Sequence, residues 1–185
     1  MGVHPGARAP LDEAALIDRA RAGDREAQDA LVRRYLADVY RVALRLLGDE
    51  DLAQDAAQDA LVNAIRALGR FRGDASFRTW VLRIAANAAK SQARRRWRKR
   101  EVTLAAVEGV AIEGEDPEQS AVVRDEAARV RALMERLPRK QRLAVELRVN
   151  QGLDYQDVAR VLNCSTGAAR VNYHLGIKRL RELMG

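Results

Sequence analysis

The 185-residue chain has one cysteine, Cys164, so no disulfide can form within it. Its two histidines, His4 and His174, stand far apart and no ligand cluster accompanies them. That argues against a zinc site, and nothing else in the chain requires a cofactor. Aromatic residues make up only 4%, so a core must rest mainly on Leu, Val, Ile and Ala. No apolar run approaches the roughly eighteen residues of a membrane helix, and no membrane insertion is expected. Met1–Pro10 lacks the apolar centre of a signal peptide and reads as a disordered tail, which predicts a cytoplasmic protein. Convincing alternating strands are missing, and β-branched residues are scattered.

What the chain does contain is charge and helical periodicity. Hydrophobic residues reach 48%, enough for a core, and 33 Lys and Arg stand against 26 Asp and Glu, a net charge of +7. That balance favours a polyanion as partner, although charge alone is weak evidence. The expected fold is all-α, with two small helical domains joined by a flexible acidic linker. Between Leu11 and Arg100 nearly every segment reads as helix. Leu16, Ile17 and Ala20 are followed by Ala27, Ala30, Leu31 and Tyr35, with Gly23-Asp24 between two helices and Asp24 as a cap. A further helix from Asp49 to Leu68 carries Leu52, Ala56, Ala60, Leu61, Ala64, Ile65 and Leu68. Gly69 to Ala75 is a loop by its glycines, and Ser76 is placed to cap the next helix. On that helix Phe77, Trp80, Val81, Ile84, Ala85 and Ala88 form an apolar stripe, while Thr79, Arg83, Asn87, Lys90 and Arg94 form a polar, basic one.

Charge then reverses. Glu101 to Ser120 holds six acids and no Lys or Arg, and reads as a linker. Asp116-Pro117 resembles a helix start, and Pro138 begins another helix with Leu143, Ala144 and Leu147 facing in. The boundaries are thus a tail over 1–10, a domain over 11–100, a linker over 101–120 and a domain over 121–185.

The last forty residues carry a helix-turn-helix pattern. Asp154 caps a helix in which Asp157 occupies the acid position of a capping box, and Leu153 with Val158 can close a hydrophobic staple. Asn163 ends this helix because it tolerates left-handed geometry, and Ser165 caps the next. Ala169, Tyr173, Gly176 and Leu180 would face the first helix, while Arg170, His174, Lys178 and Arg181 lie on other sides. A short helix, a tight turn and a basic second helix suit the DNA major groove.

Two separated stretches resemble a known family. Asp55-Ala56-Ala57-Gln58-Asp59-Ala60-Leu61, Arg66-Ala67-Leu68, Phe71 to Trp80 and Arg83 to Lys90 resemble region 2 of extracytoplasmic-function (ECF) sigma factors, small members of the bacterial sigma-70 family. Leu137-Pro138, Gln141-Arg142, Leu147-Arg148, Gly152 to Tyr155, Val158-Ala159 and Ser165-Thr166-Gly167 resemble region 4. The resemblance implies a protein that binds core RNA polymerase at the β′ clamp coiled coil and the β flap, directs it to promoter DNA, and is held by an anti-sigma factor. It also implies that the linker threads toward the polymerase active-site channel.

By resemblance, Asp51, Asp55, Gln58, Asp59 and Asn63 meet the polymerase clamp. Phe71, Arg72, Asp74, Ala75 and Ser76 form the loop that captures a flipped base of the −10 element. Thr79, Arg83, Asn87, Lys90 and Arg94 extend that surface, the cations acting mainly on phosphates. Phe77 and Trp80 fit the core better than stacking platforms. Ser165, Thr166, Arg170, Val171, His174 and Lys178 are the −35 candidates, Arg170 being well suited to guanine edges. Here the chain departs from the common family pattern: Leu175 and Ile177 stand where arginines are usual, which implies fewer phosphate contacts at this helix. Two other readings compete, a stand-alone helix-turn-helix regulator and an enzyme acting on DNA. The regulator would leave the region 2-like half unexplained. The enzyme would need a carboxylate cluster or a positioned nucleophile, and none is recognisable.

Overall fold

The computed structural model describes residues 12–104, 129–130 and 132–184, with only the helical backbone described for 97–104. The expected tail, residues 105–120 of the expected linker and the helix start at Asp116-Pro117 lie outside the described residues. No strand occurs among the described residues.

Side-chain caps set the helix starts, those of Asp24, Ser76, Asp154 and Ser165 as expected from the sequence. The Asp24 carboxylate accepts the Ala27 amide (3.2 Å) and opens α2 (Arg25–Leu47), which follows α1 (Glu13–Arg21). Asp49 accepts from the Leu52 amide (3.0 Å) and opens α3 (Glu50–Arg66), after Gly48 has closed α2 in the left-handed region (φ 67°). A 3-10 turn (Leu68–Arg70) leads into the loop, and the Ser76 hydroxyl accepts the Thr79 amide (3.1 Å) at the head of α4 (Phe77–Leu104). That helix continues four residues beyond Arg100, where the sequence reading begins the linker. In the second half α5 (Arg139–Val145) passes into a π turn (Glu146–Asn150) that periodicity does not reveal. Then come α6 (Tyr155–Leu162), capped by Asp154, and α7 (Thr166–Met184), capped by Ser165. Asn163 joins them at φ 54°, as the left-handed turn requires.

The scarcity of aromatics is met by small residues. Ala53, Ala56, Ala57, Ala60 and Ala64 line the buried side of α3, so α2 and α4 approach it closely. Leu31, Val39, Val42, Val81 and Leu82 fill the space between α2 and α4. Phe77 is buried, as expected, and contacts Tyr35, Phe71 and Trp80 ring to ring at 5.2–5.5 Å.

The sequence reading leaves the two halves free to take many arrangements; in the structure they share a core. Leu143, Ala144, Leu147, Val158, Val161 and Leu162 belong to the same apolar cluster as the first bundle. α4 packs on α6, and α2 on α5. A polar seam borders this contact. Arg78 donates to Asp38 (2.7 Å), to the Gln151 carbonyl (2.6 Å) and to the Gln151 side chain. Glu146, only 1% exposed, accepts from Arg45 (3.1 Å) and Asn150 (2.7 Å), which compensates its buried charge. A second, smaller cluster joins Met134, Leu137 and Val145 to Tyr173, Ile177 and Leu180 of α7.

Candidate nucleic-acid and partner interfaces

The residues singled out in the sequence fall mainly on three surfaces, with a separate cleft between α3 and α4. The first is a pocket of about 360 Å³ lined by Phe71, Trp80, Asp74, Thr79, Ala75 and the arginines 70, 72, 83 and 160. Phe71 and Trp80 (5.4 Å between rings) supply an apolar wall, Asp74 an acceptor edge and the guanidinium groups a positive rim. Such a set suits an unstacked base carried on a phosphate backbone. Arg160 comes from α6, so the second half contributes part of the wall. Trp80, read as core, has a face on this pocket as well.

The other candidates for that surface divide. Ser76 spends its hydroxyl on the α4 cap and on the Thr79 hydroxyl (2.8 Å), and Thr79 is 1% exposed. Asn87 lies in a separate cleft of about 290 Å³ between α3 and α4, with Asp59, Asn63, Ser91, Gln92 and Arg95. Lys90 is half-buried where α4 meets the second half. Burial, then the positive charges of Lys140 and Arg94, push its ammonium below the usual lysine range. Arg94 is exposed. The stripe that looks continuous in sequence therefore serves a pocket, a cleft and a buried junction.

The second surface is a groove of about 1010 Å³ between α2 and α3. Its floor is Val32, Leu36, Tyr40, Leu61, Val62 and Ile65, and its rim includes Arg33, Gln54, Gln58 and Arg66. Leu36 and Val62 are exposed. Of the candidates on α3, Gln58 lines this groove, Asp59 and Asn63 line the α3–α4 cleft, and Asp51 and Asp55 face solvent. Sequence reasoning picked the polar edge and missed the apolar floor. The available signal was on α2, where Val32, Leu36 and Tyr40 fall outside the stripe Leu31, Tyr35, Val39, Val42.

The third surface is α7. Arg170, Val171, His174 and Lys178 share its exposed side, and Ser165 and Thr166 stand at its start. Ser165 accepts the Ala168 amide (3.1 Å). Tyr155 of α6 is a platform that the sequence does not disclose: the guanidinium carbons of Arg148 and Arg170 lie 4.7 and 5.1 Å from its ring centre. Tyr173 and His174 stand beside the same ring, at 5.9 and 6.3 Å. The platform holds Arg170 near the exposed helix face. Gly176 does not face α6 but packs on α5, beside Val145 and Gln141.

Residues 31–99 match the family model described as Sigma-70 region 2, and residues 127–180 the one described as Sigma-70, region 4. The chain is 39% identical to the RNA polymerase sigma-H factor of Pseudomonas aeruginosa over 164 residues, 84% of each protein. It is 33% identical to the ECF RNA polymerase sigma-E factor of Escherichia coli K12 over 168 residues, covering 86% of this chain and 87% of the relative. Among solved structures, the sigma factor RpoE in complex with the anti-sigma factor NepR from Bartonella quintana superposes with TM-score 0.68 at 25% identity, over 84% of this chain and 95% of that one. CnrH in complex with the cytosolic domain of CnrY superposes with TM-score 0.69 at 24% identity, over 95% and 97% of the two chains, and shares the fold.

Proposed function

Since this chain belongs to the extracytoplasmic-function group of the sigma-70 family and is an RNA polymerase sigma factor, we propose that its halves divide promoter selection between a base-capturing pocket and a major-groove helix. The observation that carries this reading is the Phe71–Trp80 pocket with its arginine rim, set in the same chain as an exposed recognition helix.

At the −10 element, Phe71 and Trp80 offer a wall to an unstacked base of the non-template strand. Asp74, Arg72 and Ala75 shape its edge, and Ser76 and Thr79 hold the loop to α4. Arg83 and Arg94 act on phosphates, with Asn87 toward the adjoining duplex, whereas Lys90 stays at the junction with the second half. At the −35 element, α7 enters the major groove: Arg170, Val171 and His174 meet base edges, while Ser165, Thr166 and Lys178 meet the backbone. The polymerase β′ clamp coiled coil docks on α3 through Asp51, Asp55, Gln58, Asp59 and Asn63. The groove beside it accepts the apolar side of a partner helix. The second half meets the β flap. An anti-sigma factor, as bound to the Bartonella relative, competes for these surfaces. The protein acts as an initiation factor rather than a catalyst, in the cytoplasm with its polymerase. Among the described residues no helix is long and apolar enough to cross a membrane.

Run-off transcription with core polymerase on a pool of promoter fragments at fixed salt tests this. New start sites that require the protein and share two spaced upstream elements are expected. No new transcripts together with no binding to core polymerase would reject the reading in favour of a stand-alone regulator.

A further inference from the structure

Between Arg170 and Lys178 the recognition helix carries no lysine or arginine: the residues are Val171, Asn172, Tyr173, His174, Leu175, Gly176 and Ile177. Buried Ala169 and Gly176 fix which side faces inward, and Val171 and Leu175 emerge on the outer side, 56% and 47% exposed. They stand four residues apart, one turn of the same helix, with His174 between them and Arg170 and Lys178 at either end. Asn172 is turned to its own helix, where it donates to the Ala168 carbonyl (2.7 Å). The exposed side of the first three turns is thus an apolar pair framed by cations.

The flanking charges favour DNA as the occupant of this face, and the chemistry of the major groove narrows the choice further. Adenine, guanine and cytosine present only hydrogen-bonding groups there, whereas thymine also presents a C5-methyl. Valine and leucine cannot satisfy a donor or an acceptor, so pressed against the other bases they strip water from groups left unpaired. Against a thymine methyl they bury hydrocarbon on hydrocarbon. Four residues of helix advance about 6 Å, close to two base steps of about 3.4 Å each.

We propose that Val171 and Leu175 read the C5-methyl groups of thymines lying within two base steps of each other in the −35 element. Hydrocarbon contact then sets part of the sequence preference at this element. The inference rests on the assignment of α7 to the −35 element and adds Leu175 to the residues that determine specificity.

Holoenzyme made with the full chain is bound to the fragment that gives the strongest protein-dependent transcript. Each upstream-element thymine is replaced in turn by deoxyuridine, which removes only the methyl. Loss of binding by about threefold to fourfold is expected at one or two nearby positions, the value of one buried methyl. In Leu175→Ala or Val171→Ala holoenzyme the matching uracil effect is expected to disappear. Leu175→Arg should also flatten the scan, and should steepen the salt dependence by about one phosphate contact. Both positions are exposed, so these variants keep the fold. A scan flat at every thymine, an upstream element without thymine, or the same uracil loss in wild type and all variants would overturn the proposal. Absence of any protein-dependent transcript from unmodified DNA is a separate result, and rejects the sigma reading together with this one.

Discussion

Leu36 shows how much one side chain can reveal once its neighbours are known. In sequence it is one apolar residue on a long helix; in the structure it is exposed and lies with Val62 on the floor of the α2–α3 groove. Leu36→Glu is expected to weaken binding to core polymerase by about tenfold, as for a residue near the centre of an interface. Thermal stability should change little, because the site is solvent-exposed. A fluorescence titration of the labelled protein with core polymerase, beside a melting curve, checks both. Asp24 illustrates a different residue-scale effect. The hydrogen bond from the Ala27 amide, and then the Arg19 guanidinium, hold its carboxyl below the usual carboxylate range. A lowered folded-state value means that the stabilisation is complete above the unfolded carboxylate value. It is lost as pH falls through the folded one. Asp24→Asn should therefore make helix content less sensitive to acid below about pH 4, which circular dichroism across an acid titration would show.

At the scale of elements, α7 is positioned by a close crossing on α5. A Cβ at Gly176 would lie 2.8 Å from a Val145 methyl and 3.2 Å from the Gln141 carbonyl oxygen. In an exposed helix Gly→Ala gains about 1 kcal/mol of helix propensity. Here the side-chain overlap, with backbone close behind it, outweighs that gain. Gly176→Ala is expected to destabilise the protein by about 1–2 kcal/mol, within the usual cost of overpacking. Chemical denaturation measures this, and because the substitution shifts α7 against α5 it should also weaken binding to a −35 duplex. The caps act at the same scale. Asp154 and Ser165, with left-handed Asn163 between them, set the angle at which α7 leaves α6.

At the scale of the whole molecule the central fact is the seam between the halves. Arg78 ties α4 to Gln151, Arg45 ties α2 to buried Glu146, and Arg160 of α6 stands on the wall of the proposed base pocket. If the halves take separated promoter elements as proposed, this contact is the one expected to open. Arg78→Ala combined with Glu146→Ala removes both ties, and small-angle scattering of the free protein should then record a larger radius of gyration. An unchanged radius would mean that the packing of α4 on α6 and of α2 on α5 holds the halves without these ties. Removal of Glu146 leaves the Arg45 side chain only 24% exposed and without its carboxylate, so the cost in stability should approach the roughly 3–5 kcal/mol of a broken buried pair.

The sequence by itself determined what is local. Helix starts at Asp24, Ser76, Asp154 and Ser165 were legible because a cap and its amide lie three residues apart in the chain. The all-α class and the two family signatures followed from periodicity and from contiguous motifs. The tertiary structure decided what depends on residues far apart. It showed that Thr79, Asn87 and Lys90, one stripe on paper, go to different places, because α3 and α6 cover different parts of α4. It brought Tyr155 under Arg170, opened an apolar groove beside the polar face of α3, and closed the two halves on one another. Those features rest on contacts whose partners are set only when the chain packs, and periodicity within one helix carries no record of which other helix will lie against it.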